Sequence, residues 1–87
     1  MKLKKSIVNE HNEEFYKNII KTNPKHSKAL NDLGELLSYQ GKEEEAEKYF
    51  IMALELDPNN DNFIENLGNL FLSQGNFKKA EEFFLKQ

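Results

Sequence analysis

The stretch LGELLSYQG, Leu33 to Gly41, sets a glycine inside an otherwise continuous helical pattern. After an interval of 34 residues the chain repeats itself as LGNLFLSQG, Leu67 to Gly75. All four glycines of the chain lie in these two stretches. Gly34 and Gly68 stand mid-helix, where glycine costs about 1 kcal/mol against alanine. Gly41 and Gly75 stand where a helix should close on a left-handed residue. A chain that uses glycine only at these places is written in units of one period.

Working outward, the same interval separates Pro24 from Pro58 and Ala46 from Ala80. Each proline biases its predecessor away from helical geometry and so marks a helix end. Between these marks the apolar residues fall at helical spacing. Leu30, Leu33 and Leu37 form one stripe with Leu36 beside it, and Ile64, Leu67 and Phe71 repeat it. Tyr49, Phe50, Ala53, Leu54 and Leu56 line the helix before Pro58, and Phe77, Ala80, Phe83 and Phe84 begin another. Asn76 is suited to cap that last helix. The acidic Glu43–Glu44–Glu45 suits a helix N-terminus, whose dipole favours negative charge. The spacing predicts five helices, Leu3–Thr22, Ser27–Tyr39, Glu43–Leu56, Asp61–Ser73 and Phe77–Lys86, with no competing strand signal. Short turns make consecutive helices antiparallel. Small residues on facing helices, Gly34 with Ala46 and Gly68 with Ala80, predict tight hairpins with closely approaching backbones. One hairpin leaves an apolar face bare, so the units must stack.

A helix–turn–helix unit of 34 residues with these residues resembles the tetratricopeptide repeat. The first repeat carries Leu30, Leu33, Gly34, Leu37, Ala46, Phe50, Ala53 and Pro58. The second carries Ile64, Leu67, Gly68, Phe71, Ala80 and Phe84. Leu30 and Ile64 stand for the family's Trp, and Leu37 and Phe71 for its Tyr. The resemblance implies an all-α fold of antiparallel hairpins stacked as a short right-handed solenoid. Residues 1–87 then form one unit: a capping helix within 1–24, a repeat at 27–60, and a second at 61–87, truncated at its end. The first helix half matches: anchored on the prolines, Tyr16 pairs with Phe50, Ile19 with Ala53 and Asn12 with Ala46. A polar Asn12 is tolerated if that helix lacks a hairpin partner, which favours a cap over a piece cut from a longer array.

The charge of −3 argues against nucleic acid, which needs a concentrated basic face. No apolar run has the roughly 20 residues of a membrane helix, and the N-terminus lacks a signal's apolar centre. The chain has no cysteine. Soluble, cytoplasmic and non-enzymatic is the resulting expectation. His11 and His26 are isolated, so no metal site is expected. The glycines serve packing and turns, so no phosphate loop or other cofactor site is expected. The aromatics occupy core slots and lack the basic stripe of a nucleic-acid platform.

What remains is binding. The resemblance implies that the first helix of each hairpin lines a groove for a peptide or partner helix. The non-core stripes of those helices are Lys28, Asn31, Asp32, Glu35, Ser38 and Tyr39, and Asn62, Glu65, Asn66, Asn69, Leu72 and Ser73. Their amides can bond the backbone of an extended peptide without reading its sequence. Asp32 takes the slot of Asn66, so the amide ladder is partial. Asp32, Glu35 and Glu65 with Lys28 as lone cation disfavour a clamp for an acidic tail, and a neutral to basic protein or peptide is expected. Phe83, Phe84 and Leu85 cannot all turn inward, so part of this cluster should lie bare. It would serve homo-oligomer formation or continuation into a further repeat. The other alternative is the non-catalytic arm of a larger enzyme, such as a glycosyltransferase.

Overall fold

The computed structural model describes residues 12–85, which form five helices and no strand. They are α1 (Glu13–Thr22), α2 (Ser27–Tyr39), α3 (Glu43–Leu56), α4 (Asp61–Ser73) and α5 (Phe77–Phe84). The bounds of α2, α3 and α4 agree with those predicted from the apolar spacing.

The two outer helices differ from expectation. Asn12 does not continue a helix begun at Leu3. Its backbone is extended (φ −85°, ψ −178°), and its Oδ1 accepts from Phe15 N at 3.0 Å, making it the N-cap of α1. Glu13 and Glu14 follow in the first turn, where the dipole favours them. The proposed start of this helix and His11 lie outside the described residues. At the other end α5 closes at Phe84, with Leu85 as its C-cap, and the expected end at Lys86 lies outside the described residues.

Punctuation elsewhere follows the period. Asn60 Oδ1 accepts from Phe63 N at 3.2 Å, and Asn76 Oδ1 from Lys79 N at 3.4 Å. His26 holds the equivalent place at the start of α2, where its Nδ1 accepts from Ala29 N at 3.2 Å. His26, isolated in the sequence, is therefore a helix cap. Gly41 and Gly75 take φ of +82° and +76°, the left-handed geometry that ends α2 and α4.

The core runs through both hairpins. Leu30, Leu33, Leu37, Ala46 and Ala53 of the first repeat are sealed from solvent, and so is Leu67 of the second. Tyr16 and Ile20 pack α1 onto this core. The hairpin crossing is not glycine against alanine alone. A Cβ on Gly34 would lie 2.7 Å from the Phe50 ring and 3.2 Å from the Ala46 carbonyl oxygen. A Cβ on Gly68 would lie 2.7 Å from the Phe84 ring. Each glycine is a seat for an aromatic ring from the second helix, and the alanine one turn earlier lets that helix come near enough to deliver it.

Candidate peptide groove

The first helices of the two repeats, α2 and α4, lie side by side and frame two adjoining clefts. The larger has a volume of about 390 Å³ and the smaller about 220 Å³. Lys28, Asn31, Asp32, Asn62 and Glu65 line the first, and Ser38, Tyr39, Asn69 and Ser73 line the second. Glu35 and Asn66 line both and form the ridge between them. Eleven of the twelve stripe residues read from the sequence thus border one continuous surface. Leu72 does not line either cleft. Ser27, Asn60, Phe63, Phe50 and Leu70 complete the walls and were not anticipated. Ser27 and Asn60 belong to helix starts, and a repeat-by-repeat comparison of caps would have pointed to Asn60.

The floor is a polar bridge between the repeats. Asn66 Nδ2 donates to Asn31 Oδ1 at 3.0 Å. Asn66 also hydrogen-bonds the Glu35 carboxylate. Asn31 is only 5 % exposed, so it is not the open peptide contact expected of it. Its oxygen is committed to holding α4 beside α2. Asn66 thus bonds to Asn31, while Asp32 remains its counterpart in the repeat. A buried carboxamide is retained here because its partner satisfies it.

The charges are arranged unevenly. Lys28 Nζ donates to Asp32 Oδ2 at 3.1 Å, an i,i+4 pair with the lysine largely in solvent. That hydrogen bond, and then the carboxylate charge, raise the Lys28 pKa. Glu35 makes no ion pair among the described residues: burial first, and then the neighbouring Asp32 carboxylate, hold its pKa above the usual carboxylate range. The hydrogen bond from Asn66 and the Lys28 ammonium oppose this only in part. The Tyr16 phenol is raised mainly by burial, and also by Asp32, which places α1 beside the same electrostatic field.

The predicted self-association cluster is split. Phe84 covers Gly68 and Phe83 packs on Phe71 with ring centroids 5.5 Å apart, so both are half-buried. Leu85 is 78 % exposed. Phe77, read as part of the apolar pattern of its helix, is 67 % exposed.

Among the described residues no cluster of His, Cys, Asp or Glu could hold a metal ion, and no helix is long and apolar enough to cross a membrane. Paired helices repeated in register around a continuous core define a helical-repeat scaffold. Two tetratricopeptide repeat models match, one at residues 27–60 and one at residues 49–82, and the chain belongs to the tetratricopeptide repeat family. Solved structures of MamA share the fold. MamA of RS-1, a double mutant, is 22 % identical with a TM-score of 0.81. MamA of AMB-1 and of MSR-1 are each 25 % identical, with TM-scores of 0.76 and 0.77. Each alignment covers 84 % of this chain but only about two fifths of the MamA chain. No curated protein sequence matches. The repeats and these neighbours support a protein-interaction scaffold, a fold that is typically non-catalytic.

Proposed function

We propose that the protein recognises a short extended segment of another protein, neutral to basic, in the groove between α2 and α4. The observation that carries this reading is the convergence of eleven stripe residues on two clefts that meet at Glu35 and Asn66. Helices packed about 10 Å apart give two of them a span of roughly 20 Å. At about 3.3 Å per residue that accommodates roughly six residues of extended chain. Asn62 and Asn69 flank the bridge on α4 and are exposed, so their amides are available to peptide carbonyls and N–H groups. So small an interface supports weak binding, strengthened where several repeats act together.

The test is a titration of short peptides followed by NMR on labelled protein. Shifts confined to α2 and α4, weakened by Asn62→Ala with Asn69→Ala while the melting temperature holds, are expected. Asn66 is unsuited to this test, because its removal would strand the buried Asn31 carboxamide at a cost of about 1–3 kcal/mol. Shifts located only on α5 would overturn the groove. They would favour the second reading, self-assembly through the exposed Leu85 and Phe77.

A further inference from the structure

We infer that copies of this chain join head to tail, with Phe77 and Leu85 on α5 of one copy seated in an apolar cleft on α1 of the next. This rests on the second reading above, self-assembly through those two side chains, and names the surface that receives them.

Shape, charge and placement lead here. At the first end of the stack, Phe15, Asn18, Ile19, Thr22, Asn23 and His26 line a predominantly apolar cleft of about 500 Å³. At the last end Phe77 and Leu85 protrude. They stand with Glu81 between them at steps of four residues, so they share one face of α5. Leu85 keeps helical backbone angles (φ −71°, ψ −14°) and so stays on that face. A protruding apolar patch and an apolar pocket elsewhere on the same molecule make a heterologous contact between copies. Charge favours the same pairing. Lys17 is paired with Glu13, and Lys79 lies over the Phe71 ring. The exposed charges left on α1 and its turn are then Lys21 and Lys25 against Glu14, a surplus of cation. Those left on α5 are Glu81 and Glu82 against Lys78, a surplus of carboxylate. First end on last end brings opposite surpluses together, whereas a pairing of like ends opposes like charge. As to placement, α1 and α5 make no contact within the chain, so a copy does not fill its own cleft. Any joined pair keeps one free cleft and one free patch, and growth continues unless the rotation closes a ring. No residue of the contact lines the groove between α2 and α4, so each added copy adds a groove and the avidity of repeated sites.

Sedimentation equilibrium of two variants of the full chain, alone and mixed, tests this. Phe77→Glu with Leu85→Glu removes the patch. Asn18→Glu with Thr22→Glu puts carboxylates into the cleft, opposite Glu81 and Glu82 of the incoming copy. All of these positions are exposed, so both variants should keep the melting temperature of the parent. The parent should grow beyond the dimer as its concentration rises. Each variant alone should stay monomeric. Their equimolar mixture should form heterodimers and nothing larger, because one supplies an intact cleft and the other an intact patch. The heterodimer should be at least about tenfold tighter than the self-association of either variant. A cleft variant that associates as the parent does would overturn the head-to-tail contact and leave assembly through α5 standing. A mixture no more associated than its parts would overturn it as well. A parent that is monomeric at every concentration would overturn both this contact and the reading on which it rests, leaving the cleft to a different partner.

Discussion

Gly34 shows how far a single residue can be read. Its place in the period identified it as a packing glycine, but its partner was assigned to Ala46 because small residues suggest backbone contact. The nearest atoms are in the Phe50 ring. Spacing says that two helices meet at a position; it does not say which side chain of the second helix reaches over. Gly34→Ala gains about 1 kcal/mol of helix propensity. It also places a methyl 2.7 Å from the ring, too close for any real contact. The outcome expected in denaturant melts is a net loss of about 1–3 kcal/mol. Adding Phe50→Leu should recover part of it, and the double-mutant cycle measures the coupling. Glu35 gives a prediction of opposite sign. Its pKa is raised in the folded state, chiefly by burial, so folding is favoured by its protonated form. The stability this confers is present at acid pH and lost as the pH rises through its raised titration. Glu35→Gln should therefore melt higher than the parent at neutral pH, and the difference should vanish below about pH 4.

At the scale of the element, α2, α3 and α4 were legible to the residue because each lies between two independent marks: a proline turn or glycine closure and a change in apolar phase. The ends of α1 and α5 lacked a second mark. Asn12 fits the repeat as the counterpart of Ala46, yet asparagine is also among the best N-caps, and the cap prevailed. The groove stripes were legible because the period copies a helix face from one repeat to the next. The Asn31–Asn66 bond was not, since it joins residues 35 apart, one step off the repeat. The helix starts test the same logic. His26 and Asn60 cap α2 and α4 by the same bond in different chemistry. Alanine at either position should cost about 1 kcal/mol. His26→Asn should be close to neutral in thermal melts, because asparagine already performs this role at the equivalent position.

At the scale of the whole molecule, stacking leaves faces at both ends that no described helix covers. At the first end, Phe15 is 40 % exposed beside the half-buried Ile19. In the interior repeat the residue equivalent to Ile19 is Ala53, which is fully buried. Position along the stack, and not residue type alone, decides what is bare. At the last end, Leu85 and Phe77 protrude while Phe83 and Phe84 keep one side on the core. An exposed apolar patch of this kind usually marks an interface. If copies of the chain associate through it, sedimentation at rising protein concentration should show a growing assembled fraction. Phe83→Glu is a poor probe, because Phe83 packs on Phe71 and its loss would confuse assembly with unfolding. Leu85→Glu combined with Phe77→Glu alters only protruding side chains, and it should hold the protein monomeric with its melting temperature nearly unchanged. A parent chain that sediments as a monomer up to millimolar concentration would rule this association out and leave the patch without a role between copies.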